Sequence, residues 1–155
     1  MQLVLAAVGR ARPGPERALF EHYRGRLGWS LVVKEVEEKR PLSVAERVAR
    51  EGELLLAQVP NGAALIVLDE RGKTLESTKF AQRLAAWRDE GRSHLTFLIG
   101  GADGHSENIR NRADFLLSLG MMTWHLMLVR GMLVEQLYRA ECILANHPYH
   151  RGRID

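Results

Sequence analysis

Five short apolar runs recur along the chain with segments of helical period between them: Leu3 to Val8, Leu31 to Val36, Ala64 to Leu68, Leu95 to Ile99 and Phe115 to Leu119. Strands that are apolar on successive residues bury both faces. That requires helices on both sides of the sheet and favours parallel pairing. The spacing predicts helices over Glu16 to Arg26, Ser43 to Gln58, Ser77 to Glu90 and Leu128 to Leu144, with a short piece near Glu107 to Ala113. Ser43 followed by Glu46 reads as a capping box, and Ser77 as the cap of a helix carrying Phe80, Leu84 and Trp87 on one face. Pro60-Asn61-Gly62 and Gly91 mark chain reversals before the third and fourth strands. The predicted class is α/β, with a mostly parallel sheet of five to six strands, helices on both faces and a single domain over residues 1–155.

In open parallel sheets, ligands sit beyond the carboxyl ends of the strands. That directs attention to the segments after Leu68, Ile99 and Leu119. After Ile99 the chain runs into Gly100-Gly101-Ala102-Asp103-Gly104, where missing side chains would let a ligand approach the backbone. A tight strand-to-helix turn explains the same glycines. The run does not match the dinucleotide fingerprint, and Gly72-Lys73-Thr74 lacks the earlier glycine of a phosphate-binding loop because position 67 is Val. Gly104-His105-Ser106-Glu107 begins like a nucleophile elbow, but Asn108 stands where the closing glycine belongs. His147 and His150 are separated by Pro148 and have no local acidic third ligand, so no metal is expected.

Twenty-two Lys and Arg against 19 Asp and Glu give a net charge of +3, and the isoelectric point near 9.3 admits an anionic partner without requiring one. The one cysteine, Cys142, forms no intrachain disulfide, which fits a reducing cytoplasm. The opening Met1 to Val8 has no basic residues ahead of it and reads as a buried strand, not a secretory signal. No apolar run approaches the ~20 residues of a membrane span, so no membrane partner is expected.

Near the end, Asn146-His147-Pro148-Tyr149-His150-Arg151 gathers aromatic, polar and cationic groups just after a helix. Tyr149 or a histidine could stack on a base and Arg151 could meet a phosphate; a plain basic terminus is the competing reading. Met121, Met122, Met127 and Met132 surround Trp124, as flexible core fillers would. Glu135 and Arg139 are four apart on one helical face, consistent with a surface ion pair or with a catalytic role.

Three stretches taken together are familiar: Leu98 to Gly104, Thr123-Trp124 with Leu128-Val129-Arg130, and Glu135 to Ala140 continuing to Asn146 to Arg151. With Leu5-Ala6-Ala7-Val8-Gly9 and Leu68 to Lys73, they span nearly the whole chain in order. The chain resembles the bacterial large-subunit rRNA pseudouridine N3-methyltransferases of the SPOUT superfamily. The resemblance implies a carboxy-terminal trefoil knot, an exception to the usual avoidance of knots. It also implies a homodimer and S-adenosylmethionine as methyl donor, held by Leu68, Gly101 and the stretch Gly120, Met121, Met122, Thr123, Trp124 and His125. The implied substrate is a pseudouridine of 23S rRNA in the assembled ribosome. Glu135, Arg139 and His150 would do the chemistry, with Tyr149 and Arg151 on the RNA. Two positions depart from the pattern: His125 follows Trp124 directly, with Leu126 where the family's histidine is usual, and Gly131 stands where a β-branched residue is common. A mid-helix glycine costs about 1 kcal/mol relative to alanine. A noncatalytic ribosome-binding module and a flavodoxin-like ligand-binding domain are the alternatives.

Overall fold

The computed structural model describes residues 1–151. Strands β1 (Gln2–Val8), β2 (Ser30–Val36), β3 (Ala64–Lys73), β4 (His94–Ile99) and β5 (Phe115–Leu117) alternate with helices α1 (Pro15–Arg26), α2 (Val44–Leu56), α3 (Ser77–Asp89), α4 (Glu107–Arg112) and α5 (Leu126–Leu144). The strands form one five-stranded sheet in the order β2-β1-β4-β3-β5, and every strand pair is parallel.

Alternation along each strand divides two cores. Leu3, Leu5, Ala64, Ile66, Leu95 and Phe97 face the layer of α1, α3 and α5, with Phe20, Leu84, Leu133 and Leu137 against them. Ala6, Leu65, Val67 and Leu98 face the other way, against Leu55 of α2 and Ile109 of α4. The expected α/β sheet with helices on both faces is therefore present. Among the described residues no helix is long and apolar enough to cross a membrane.

Local signals set most boundaries. The Ser43 hydroxyl accepts from the Glu46 N–H while the Glu46 carboxylate accepts from the Ser43 N–H, the reciprocal capping box that opens α2. Ser77 departs from its predicted role: Glu76 occupies the cap of α3, and the Ser77 hydroxyl instead donates to Gln136 Oε1 at 2.7 Å. The attraction of a distant amide wins over the local cap. Strand β5 stops at Leu117, short of the expected Leu119, because the buried Ser118 hydroxyl donates to Gly120 O and accepts from its N–H, bending the chain. At α5, His125 Nδ1 accepts the Met127 N–H, so the helix begins at Leu126, two residues before the predicted start. A Cβ on Gly131 would lie 3.0 Å from Leu19 Cδ2, so that glycine lets α1 approach α5 closely.

Strand β3 outruns its apolar stretch. Leu117 pairs with Leu68 and again with Lys73, and the Ser118 N–H donates to Lys73 O at 2.9 Å. Between Leu68 and Lys73 strand β3 bulges, and the two ends of the bulge clasp Leu117 of β5. Gly72 lies at the tightest point of the clasp, where a Cβ would stand 2.5 Å from Leu116 O.

Candidate active site

The ends of β3 and β4 and the segment after β5 enclose a cleft of about 440 Å³, as the position of ligands in parallel sheets anticipates. Its wall comes from Leu68, the loop Gly100 to Gly104, and Gly120, Met122, Thr123 and Trp124. The glycine loop is closed by a Gly104 N–H bond to Gly101 O at 3.0 Å, and Gly104 takes φ +77°, a left-handed conformation suited to glycine. A Cβ on Gly101 would come within 2.9 Å of the Glu51 carboxylate, so a side chain there would have to displace that carboxylate. Burial raises the pKa of Glu51, with Asp103 adding to the rise.

Three polar residues on this wall were not among the sequence-derived candidates. His105 is buried, and its Nε2 has no hydrogen-bond partner among the described residues. Burial pushes its pKa down, against the pull of nearby Asp69. The Arg110 guanidinium donates to His105 O at 2.6 Å and lies 3.8 Å from the Asp69 carboxylate. Asp69 and Arg110 are too far apart in sequence for spacing to reveal the pair; only the glycine loop signalled their neighbourhood. Ser106, rejected as a nucleophile, caps α4 by accepting the Ile109 N–H.

Leu68, Gly101, Gly120, Met122, Thr123 and Trp124 therefore gather at one cleft, whereas Met121 and His125 do not line it. Met121 is 96% exposed and Met122 73% exposed, which corrects the expectation that these thioethers fill the core. The loop bends back on itself, with Trp124 Nε1 donating to Leu119 O at 3.3 Å, and that leaves both methionines outside.

The second group of candidates assembles on α5 and the 3-10 turn Pro148–His150. Asn146 makes their meeting possible: its φ of 56° is the one positive value outside glycine among the described residues. The His147 N–H then donates to Cys142 O and the Asn146 N–H to Ile143 O, reversing the chain against the helix it has just left. Glu135 is the hub. Its Oε1 accepts from Arg139 at 2.7 and 2.9 Å and from the Tyr149 hydroxyl at 3.1 Å, while Oε2 accepts from Gln136 Nε2 at 3.0 Å. His150 Nδ1 lies 3.2 Å from Arg139 Nη1. The Tyr149 ring packs edge-on against Tyr138, with centroids 4.7 Å apart, and Arg139 sits over its face. Burial and the Glu135 charge push the Tyr149 hydroxyl's pKa well up, so it remains a donor. Arg151 is exposed and closes the turn through its N–H, outside this cluster. His147 Nδ1 accepts the Tyr149 N–H.

In one chain the two groups stay apart. Glu135 faces a second cavity, of about 530 Å³, that touches the first only through the shared wall of Leu117, Leu119 and Gly120.

Comparison with known proteins places this geometry in context. The model of a family described as predicted SPOUT methyltransferase matches residues 1–150. The Ribosomal RNA large subunit methyltransferase H of Rhodospirillum centenum is 61% identical across 98% of this chain and 100% of its own length. The protein of the same name from Bartonella henselae is 46% identical across 97% and 99%. Among solved structures, a probable methylase family protein from Haemophilus influenzae Rd KW20 shares the fold, with a TM-score of 0.58 at 11% identity. That match takes in 93% of this chain and 66% of the other. A cleft at three parallel strand ends, a clasped β5 and agreement from end to end with these relatives have one common explanation: the chain belongs to the SPOUT methyltransferase family.

Proposed function

We propose that the chain methylates N3 of a pseudouridine in 23S rRNA within the assembled ribosome, using S-adenosylmethionine, and that it does so as a cytoplasmic homodimer. The observation that carries this reading is the 61% identity, over the full length of the relative, to a protein named for methylation of large-subunit rRNA.

The cleft residues suit the donor. The volume of about 440 Å³ lies in the usual small-ligand range of roughly 300–1,000 Å³. Gly100 and Gly101 line the cleft with backbone, and the buried His105 Nε2, unpartnered among the described residues, offers a polar contact. When bound, S-adenosylmethionine supplies an electrophilic methyl carbon, whose bond to sulfur breaks as its bond to N3 forms. Leu68, Gly101, Gly120 and Trp124 orient the donor, with Met121, Met122, Thr123 and His125 on the loop that follows β5. Alignment of this kind contributes on the order of 7–11 kcal/mol in well-oriented reactions.

N3 carries a proton that must leave. Glu135 Oε1 is engaged by Arg139 and Tyr149, so Oε2, held only by Gln136, is the oxygen free to accept it. Arg139 and His150 fix that carboxylate's surroundings, Tyr149 presents a face for stacking, and Arg151 reaches a phosphate. The homodimer follows from the separation of the two groups on a single chain: a second copy can bring its own Glu135 cluster to the cleft.

Ribosomes from a strain lacking the enzyme, incubated with the protein and S-adenosylmethionine, are expected to gain N3-methylpseudouridine by mass spectrometry of the rRNA. Glu135→Gln is expected to lower kcat by about 100-fold or more while donor affinity by calorimetry stays within twofold. Co-sedimentation with ribosomes in the absence of any new methyl group would instead support a noncatalytic binding module.

A further inference from the structure

A third cavity, of about 590 Å³, opens on the other side of the residue 124–127 segment. Its wall comprises Arg10 and Arg12 after β1, Arg17 and Arg24 on α1, and Arg130 on α5, with Glu16, Glu21 and Glu35 among them. Nothing in the reaction described above uses these arginines.

They fall into two kinds. Arg130 is 3% exposed: its Nη1 bonds Glu35 and its Nη2 donates to Gly9 O at 3.0 Å, while its buried Nε has no partner. It forms a fixed floor, its charge met by Glu35. Arg10, Arg12 and Arg17 are exposed. Arg10 makes only a loose 3.6 Å pair with Glu37, and Arg12 and Arg17 have no carboxylate within 4.0 Å among the described residues. Exposed, unpaired guanidinium groups set along a loop and the next helix form a row instead of a cage around one small anion. Each can grip phosphate oxygens through paired N–H donors.

The position relates the row to the cleft. Along the chain, Trp124 and Leu126 line the donor cleft, whereas His125 and Met127 line the arginine cavity. One short segment is the wall between them. A polyanion held along the arginines would run past the mouth of the cleft.

We propose that Arg10, Arg12 and Arg17, above the Arg130 floor, form a docking groove for an RNA phosphodiester backbone, separate from the residues that meet the target base. The inference rests on the rRNA reading given above and adds to it the surface that holds the backbone. Phosphate neutralisation by two arginines accounts for a salt slope of roughly 1.4–1.8 in log affinity against log salt.

The test uses the full chain with Arg12→Glu/Arg17→Glu and, as the charge-conserving control, Arg12→Lys/Arg17→Lys. Affinity for ribosomes is read by co-sedimentation across a salt series, donor affinity by calorimetry and assembly by sedimentation velocity. The glutamate variant is expected to bind ribosomes about tenfold more weakly with a shallower salt slope, while donor affinity and assembly stay unchanged. The lysine variant is expected to stay within about twofold of the parent, because each phosphate still meets a cation. Ribosome affinity and salt slope unchanged in the glutamate variant would overturn the groove. So would binding of inorganic phosphate by the parent chain, abolished by the glutamate substitutions while ribosome affinity is untouched, since that marks a small-anion site. A parent chain that binds ribosomes through these arginines yet transfers no methyl group counts against the reaction and leaves the groove standing.

Discussion

At the scale of single residues, His105 carries a measurable signature. It is buried beside the glycine loop, and burial holds its pKa below the ordinary 6.5. The folded chain therefore keeps the imidazole neutral at pH values where the unfolded chain binds a proton. Stability from this source is complete above about 6.5 and is lost as pH falls through that value toward the lower folded pKa. Urea unfolding at pH 7.5 and pH 5.5 is expected to show a smaller acid-side loss for His105→Leu than for the parent; equal losses would mean the ring protonates in place. Glu51, whose pKa is raised by burial, acts in the opposite sense, gaining relative stability as pH falls. The comparison between parent and variant isolates the histidine. Tyr149 adds no dependence near neutrality, because burial and Glu135 keep its hydroxyl protonated.

Between elements, the decisive contact is that of Gly72 with β5. The obstruction at 2.5 Å is the Leu116 carbonyl, part of a strand, and cannot swing aside as a side-chain tip would. Gly72→Ala is expected to destabilise the chain by roughly 2–3 kcal/mol in urea unfolding, the range of an overpacked core position. An effect below about 0.5 kcal/mol would show that the clasp gives way. This contact also marks where the sequence ceased to be legible. Strands and helices could be read because apolar period and local caps such as Ser43 with Glu46 act within a few residues. The second pairing of Leu117, to Lys73, joins segments that no periodicity connects. Ser77 was misread for the same reason: its partner, Gln136, lies 59 positions away. The Glu135–Arg139 pair was visible as a four-residue spacing. Tyr149 joins it only through the left-handed turn at Asn146, a conformation that asparagine adopts more readily than most residues but does not enforce.

Over the whole molecule, the proposed homodimer has a testable seam. The cleft and the Glu135 cluster lie on opposite sides of residues 117–120, and the exposed methionines 121 and 122 stand on the loop between β5 and α5. Met121→Asp/Met122→Asp is expected to shift sedimentation equilibrium toward the single chain by at least tenfold in dissociation constant, because a charge there would lose its water on association. A variant that still sediments like the parent would place the contact elsewhere on the surface. Glycine-loop residues could be placed beside one cleft from sequence because they share one strand end. The separation of the cleft from the cluster is a property of the folded chain as a whole, set by α5 running past the segment that leads into it.

The position of β5 at the end of the sheet also bears on solubility. The last strand of an open sheet ordinarily presents a free row of amide and carbonyl groups on which another polypeptide can nucleate. β5 is such a margin, but it runs only over Phe115–Leu117 before Ser118 bends the chain, so the row it offers is short. The other margin, β2, carries Lys34 and Glu35, charges that discourage strand-by-strand growth into fibrils.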